Sequence, residues 1–551
     1  MQQPLPPARE PYLLDLGHRG FIEGVTIRDA ASSRPLCRYF GGLPYALPPQ
    51  RWRMPRPLPP CYQYGTRAAP GRFAGGAGIC PQSAAHAHAL GDEDCLQLNV
   101  WVPMGAAPKG GWPVFFFIHG GFLQVGSAND LHPEALLSET AVRAVIVAPA
   151  YRLNVFGFLA SRELKAASAG EPVGNLGFWD QRAALEWTRN TVSYFGGDAG
   201  NITVGGYSAG SHSAFKQLAY DAYLPRSKAI IKRVIMWSNG PGVAPKSLQE
   251  AQEQFDTLLA RLHIPPDLPG AQKVARLART PAPRLLAAAR STPMHQFRAV
   301  ADGVFAPHAL YPDIDSGAFG ARLRARGIRI LAGECANEHF VYGRWYPPAT
   351  DTLGALAARL EVDYPAAACD ALIRHYSPTG ALPPPATDWR DAFGRVYADV
   401  QIHALLRGFA DKLWRDGEAP VLLRYRVDFV TRSARAMFPP GWGATHTTDL
   451  ALWFLGNGVR GGLAEREKQV ARGALLDPLA RFLRGEVDVG WGAVGGPREV
   501  RRLREDGEVE VWLDEDWEKG VAVWEALEGV GATGEGEAEE EGLSVSRGAK
   551  L

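Results

Sequence analysis

The sequence predicts an α/β fold: a mostly parallel central sheet, helices on both faces, and helical insertions over the end of the sheet that carries the chemistry. Three observations predict it. Ile202-Thr203-Val204 is a short apolar run leading into Gly206-Tyr207-Ser208-Ala209-Gly210, and Ala214-Phe215 open a helical pattern. Val114-Phe115-Phe116-Phe117-Ile118 sits between Pro113 and the turn His119-Gly120-Gly121. Ile328-Arg329-Ile330-Leu331-Ala332-Gly333 is a further short apolar stretch closed by a glycine. Unbroken apolar runs of five residues are expected of strands buried on both faces, as in parallel sheets.

The first element carries the sharpest chemical signal. Gly206 to Gly210 reads G-x-S-x-G, a strand–turn–helix elbow that holds a serine in a strained backbone conformation. The turn sets the Ser208 hydroxyl at a helix N-terminus, where the helix dipole favours negative charge. Sixty-one glycines make a chance match easy, so the motif needs companions. The second element supplies one. His119-Gly120-Gly121 at the end of a central strand can offer backbone N–H groups to a developing oxyanion, with the N–H of Ala209 as a further donor. The expected oxyanion donors are Gly121, Phe122 and Ala209. The side chain of Phe122 should narrow the adjoining substrate pocket, for which Leu123, Gln124 and Trp237 are the other candidates.

A nucleophilic serine needs a base, and the base needs an orienting acid. His446 stands in the polar, glycine-led loop Gly443-Ala444-Thr445-His446, just before the apolar run Leu450–Phe454. For the acid, Glu338 follows the third strand by five residues, with Glu334 as a rival. Residue order alone leaves the two glutamates open.

Motifs spread along the chain resolve the ambiguity by resemblance. Glu93-Asp94-Cys95-Leu96-Gln97-Leu98-Asn99 matches E-D-C-L-x-L-N, and Tyr39-Phe40-Gly41-Gly42-Leu43-Pro44-Tyr45-Ala46-Leu47-Pro48-Pro49 resembles F-x-G-I-P-Y-A-x-P-P. Tyr151-Arg152-Leu153-Asn154-Val155-Phe156-Gly157-Phe158 resembles N-Y-R-x-x-x-G-F, and Gly174-Asn175-Leu176-Gly177-Phe178-Trp179-Asp180-Gln181 matches G-N-x-G-x-x-D-Q. The chain resembles the type-B carboxylesterases, a family that includes the cholinesterases and many fungal lipases and esterases, over roughly residues 20 to 525. The resemblance implies an α/β-hydrolase fold and a serine carboxylic ester hydrolase. It implies Ser208, Glu338 and His446 as the catalytic triad, ion pairs Arg152–Asp180 and Arg51–Glu93, and a disulfide between Cys80 and Cys95. Closing that loop is worth about 3 kcal/mol in the chain-entropy account. Cys37, Cys61, Cys335 and Cys369 have no implied partner.

Other features narrow the function. With 59 basic and 58 acidic residues and a net charge of +1, nothing draws the chain broadly to nucleic acid or to an anionic membrane. No apolar run is long enough for a membrane span. His86-Ala87-His88 lacks the further ligands of a zinc site, so no metal or other cofactor is expected. Residues 81–94 contain no Trp, Tyr or Phe, which argues against the aromatic recognition of choline. The expected substrate is a neutral, fairly apolar ester. The alternatives are a non-catalytic interaction module, or a transacylase or amide hydrolase using the same triad. Residues 1–530 are expected to form one domain. Residues 531–551 form an acidic, glycine-rich tail that ends Ala549-Lys550-Leu551, which resembles a peroxisomal address read by an import receptor. With no apolar core of a secretory signal near Met1, a cytoplasmic or peroxisomal location is expected.

Overall fold

The computed structural model describes residues 8–83, 91–414, 422–457, 459 and 462–530. His86, His88 and the acidic tail with Ala549-Lys550-Leu551 lie outside the described residues. The strands in chain order are β1 (Ala8–Asp15), β2 (Phe21–Arg28), β3 (Pro35–Pro44), β4 (Gly71–Arg72), β5 (Gln97–Pro103), β6 (Trp112–Ile118), β7 (Val145–Pro149), β8 (Gly197–Tyr207), β9 (Ile231–Trp237), β10 (Arg329–Cys335), β11 (Leu422–Val427), β12 (Glu499–Leu503) and β13 (Val509–Leu513). They join in one 13-stranded sheet of order β1-β2-β3-β5-β7-β6-β8-β9-β10-β11-β12-β13, with β4 beside β2.

From β7 to β12 every neighbouring pair is parallel. The flanking pairs β1–β2, β2–β3, β3–β5, β5–β7 and β12–β13 are antiparallel. The parallel core explains the unbroken apolar runs: every residue of β7, and of β6 from Pro113 to Ile118, is buried. Crossover helices make this possible by covering the sheet. Helices Leu176–Thr191 and Ala209–Tyr223 pack on β8, and Asp477–Arg484 packs on β6.

Local structure departs from the sequence expectation at two places. The helix after the elbow begins at Ala209, not near Ala214, because the chain turns at Ser208 itself. Strand β10 runs two residues past Gly333. A Cβ on Gly333 would stand 2.2 Å from the carbonyl oxygen of Tyr425, so this glycine permits close packing against β11 and does not end the strand.

Two long insertions reach the substrate side. One, between β9 and β10, contains helix Leu248–Arg261, whose N-terminus is closed by a Ser247–Glu250 capping box. The other, between β10 and β11, contains helices Leu353–Glu361, Ala366–Tyr376 and Trp389–Gln401. Cys80 and Cys95 are joined in a disulfide, while Cys37, Cys335 and Cys369 are buried free thiols and Cys61 is an exposed one. Among the described residues no helix is long and apolar enough to cross a membrane, and no group of His, Cys, Asp and Glu is arranged to hold a metal ion.

Candidate active site

Ser208 occupies the step between β8 and the following helix, at φ 56° and ψ −126°, a region that non-glycine residues rarely enter. The strain is held from several sides. The Ser208 N–H donates to the Trp237 carbonyl (2.9 Å), and the Ser208 carbonyl accepts from the His212 N–H (3.1 Å). The flanking glycines are required by contact. A Cβ on Gly210 would lie 2.0 Å from the Ile118 carbonyl oxygen, and one on Gly206 would lie 2.3 Å from the Gly210 backbone.

His446 Nε2 lies 2.9 Å from Ser208 Oγ, and His446 Nδ1 lies 2.6 Å from Glu338 Oε2. With Nδ1–H donating to the carboxylate, Nε2 is left as the acceptor for the serine hydroxyl. Glu338 Oε1 accepts from the Cys335 N–H at 2.8 Å, which orients the carboxylate from the end of β10. The loops bearing acid and imidazole are tied together: the Asn337 N–H donates to the Ala444 carbonyl (2.8 Å), and Thr445 Oγ1 donates to the Asn337 carbonyl (2.7 Å). Ser208, Glu338 and His446 are 6%, 0% and 2% exposed, so little water competes for these bonds. The rival Glu334 points elsewhere, into a cluster with Arg407, His403 and Arg426. Burial alone would raise its pKa, but the Arg407 charge and then its other partners hold it well below the usual carboxylate value.

The loop after β6, expected to supply the oxyanion donors, is built without a third glycine. Gly121, Phe122 and Leu123 all have positive φ, at 107°, 58° and 63°. Their conformation is held by the segment after β7. The Asn154 N–H donates to the Leu123 carbonyl (2.7 Å), Asn154 Nδ2 donates to the Gln124 carbonyl (3.1 Å), and the Tyr151 hydroxyl donates to the His119 carbonyl (3.0 Å). Among the described residues, the N–H groups of Gly121, Phe122 and Ala209 meet no protein acceptor, and Ala209 begins a helix whose dipole adds to its donor strength.

Two chambers flank this loop, with about 610 and 530 Å³ of free space including their mouths. The first is lined by Phe122, Gln124, Leu286, Phe297 and Trp345. The Phe122 ring lies 4.9 Å from that of Trp345 and edge-on to Tyr342 at 6.1 Å. The second reaches Leu123 and Ala209 and is more polar, with Arg298, Asp363 and Tyr364 in its wall. Trp237 lines neither chamber, and its assignment to the substrate pocket is corrected. It is fully buried, stacked on Trp453 at 4.9 Å and edge-on to Phe115 at 5.7 Å. The end of a central strand, closed over by Trp453, is core.

The two ion pairs differ in setting. Arg152 and Asp180 are buried and bidentate, with Nε and Nη2 each 2.7 Å from a carboxylate oxygen. Arg51 and Glu93 meet at 2.6 and 2.8 Å but keep 15% and 33% of their side-chain surface.

One neighbour of the site escaped sequence reasoning. Asp449 is buried three residues after His446, accepting from the Trp453 indole N–H (3.0 Å). Burial, and then the Glu338 charge, push its pKa up to about 6. Below about pH 4 this carboxyl is protonated in the folded and unfolded chains alike. Between about 4 and 6 the folded protein keeps a proton that the unfolded chain has released, so its contribution to stability falls as pH rises through that window. Asp449→Asn is therefore expected to gain stability relative to the parent between pH 4 and pH 7, on the order of 2 kcal/mol. Urea midpoints of both proteins at the two pH values measure this, and a difference independent of pH would contradict the assignment.

Comparison with known proteins places the chain. The carboxylesterase family matches residues 14–490. A carboxylic ester hydrolase of Gibberella moniliformis is 45% identical, over 94% of this chain and 97% of its own. An uncharacterised esterase/lipase of Schizosaccharomyces pombe is 35% identical, over 96% of this chain and 99% of its own. The crystal structure of Aspergillus niger EstA superposes with a TM-score of 0.72 at 22% identity, covering 94% of this chain and 98% of that one, and so shares the fold. The chain thus belongs to the carboxylesterase family, a carboxylic ester hydrolase by membership and an α/β-hydrolase by fold.

Proposed function

We propose that this protein cleaves carboxylic esters through an acyl-enzyme on Ser208. His446 Nε2 takes the hydroxyl proton as Ser208 Oγ attacks the ester carbonyl. Glu338 keeps Nδ1 protonated and stabilises the imidazolium. The N–H groups of Gly121, Phe122 and Ala209 receive the carbonyl oxygen as it becomes an oxyanion. The imidazolium then protonates the leaving alkoxide. A water, deprotonated by His446, attacks the acyl carbonyl, and the serine leaves with its proton restored. The single observation carrying this reading is the imidazole bridging Ser208 Oγ at 2.9 Å and the Glu338 carboxylate at 2.6 Å. The family relationship and the esterase names of the two relatives support the same chemistry.

The aromatic chamber beside Phe122 suits an apolar limb of the substrate. Incubation with p-nitrophenyl esters and with a fluorophosphonate probe tests the reading. Turnover with stoichiometric labelling at Ser208 is expected. Absence of both would sink it, and labelling with turnover only when an alcohol or amine is added would point to acyl transfer.

Phe122 should set the size limit of that chamber. Phe122→Gly relieves an unfavourable positive φ and removes the ring wedged against Trp345. The ratio of kcat/KM for a branched or long-chain ester over acetate is expected to rise roughly tenfold. An unchanged ratio would place the size limit elsewhere.

A further inference from the structure

The second chamber is built unlike the first. It opens beside Leu123 and beside Ala209, the residue after Ser208, and Arg298 stands in its wall. Arg298 Nε donates to Asp363 Oδ1 (2.7 Å), and its Nη2 donates to Gln296 Oε1 (2.8 Å) and to the Tyr397 hydroxyl (2.9 Å). Nη1 donates to no protein atom among the described residues, and 15% of the side chain remains exposed.

The charge around Arg298 is not balanced. Asp363 is the one carboxylate in the chamber wall, and both of its oxygens are occupied. Oδ1 serves Arg298, while Oδ2 accepts from Arg359 Nη1 (2.7 Å) and from the Tyr397 hydroxyl (3.1 Å). Nearby Lys246 donates to the backbone carbonyls of Glu361 and Val362 and meets no carboxylate. Arg298 and Arg359 therefore share one carboxylate, largely out of water, while Lys246 beside them lies in the field of both Asp363 and Glu250. The two arginines hold Asp363 ionised against its burial, with a pKa of about 2, so no proton transfer removes the imbalance. A second donor faces the same space. The Tyr364 oxygen accepts from Gln401 Nε2, and its own O–H meets no protein acceptor among the described residues. His212, also in the wall, is kept neutral by burial and then by the Lys216 charge, so it adds no competing charge.

We propose that this chamber binds a carboxylate carried on one limb of the ester, held by the free edge of the Arg298 guanidinium and by the Tyr364 hydroxyl. Arg298 is then a specificity-determining residue, and the preferred substrates are half-esters of dicarboxylic acids or esters of hydroxy acids. This inference rests on the ester-cleaving reading above, and it departs from the uncharged substrate expected from the sequence. A charge-assisted hydrogen bond in a desolvated wall is strong enough to set a preference of tenfold or more.

The test compares charged and uncharged esters of equal length. One arm varies the acyl limb, with monoethyl adipate against ethyl hexanoate. The other varies the alcohol limb, with 4-acetoxybutanoate against butyl acetate. In one arm the charged ester should show kcat/KM roughly tenfold or more above its partner, and the arm identifies the limb. The ratio should fall toward one in Arg298→Leu, be partly kept in Arg298→Lys, and weaken with added salt. The ratio is read, and not the absolute rate, because Arg298 also lies over the Phe122 ring at 5.6 Å. A purely structural Arg298 would lower both members of a pair equally and leave the ratio unchanged, which would overturn the proposal. So would preference for the uncharged ester in both arms of the parent protein, a result that needs no variant to fold. Failure to hydrolyse any ester would instead remove the reading beneath it.

Discussion

Ser208→Ala is expected to lower kcat on any cleaved ester by a factor on the order of 10⁶, with circular dichroism and melting temperature close to those of the parent. The size follows from how the three side chains act. They act as one unit, with Ser208 passing its proton to His446 and Glu338 orienting and stabilising the imidazolium, so removing the nucleophile costs about as much as removing all of them. The residue left behind still has the oxyanion donors, and a small rate above that of water should survive. The fold should tolerate the change, because Ser208's backbone bonds to Trp237 and His212 remain and the hydroxyl's bond to His446 Nε2 belongs to the site and not to the core. Active-site titration with a fluorophosphonate separates a dead nucleophile from an unfolded protein. Residual activity within a hundredfold of the parent would exclude Ser208 as the nucleophile.

The largest effect on stability is expected at Asp180→Asn. Arg152 and Asp180 are 4% and 0% exposed at their side chains, and Asp180 also accepts from the Arg152 backbone N–H at 3.0 Å. Removing the carboxylate charge strands a buried guanidinium, which costs about 3–5 kcal/mol. Replacing both residues by apolar ones of similar volume should recover part of that loss, because neither charge is then desolvated. Arg152 lies two residues before Asn154, which holds the Leu123 and Gln124 carbonyls of the oxyanion loop. Esterase activity should therefore fall before the protein unfolds as a whole. Parallel urea titrations followed by activity and by tryptophan fluorescence measure this. Coincident midpoints would confine the pair to global stability.

Much of the site could be anticipated because it is written in local stretches of chain. Gly206 and Gly210 are demanded by contacts of 2.3 and 2.0 Å with nearby backbone, so the elbow leaves a short, fixed spacing in the residues. The apolar runs of β6 and β7 reflect burial on two faces at once, which needs no knowledge of what covers them. Choosing Glu338 over Glu334 was different. Both follow the apolar stretch 328–333 within a few residues, and resemblance has to decide. In the structure the reason is spatial: Glu334 is claimed by Arg407, a residue 73 positions away along the chain. Trp237 shows the converse failure. An aromatic at a strand end near the elbow reads first as core and second as pocket, and Trp453 stacked upon it settles the matter for core.

The order of residues by itself determined the parallel core, the strained serine turn, the glycine-led loop after β6 and a family membership that names the chemistry. Those features depend on backbone sterics and on the periodicity of burial, which act over a few neighbouring residues. Only the tertiary structure decided which carboxylate meets the imidazole, that Trp237 is core, that Asp449 lies buried beside the site, and that Arg298 and Arg359 share one carboxylate. Those outcomes depend on distance and desolvation between groups far apart in the chain. Coulomb and hydrogen-bond energies are set by separations of a few ångströms in a dry interior, and no local spacing of letters records them.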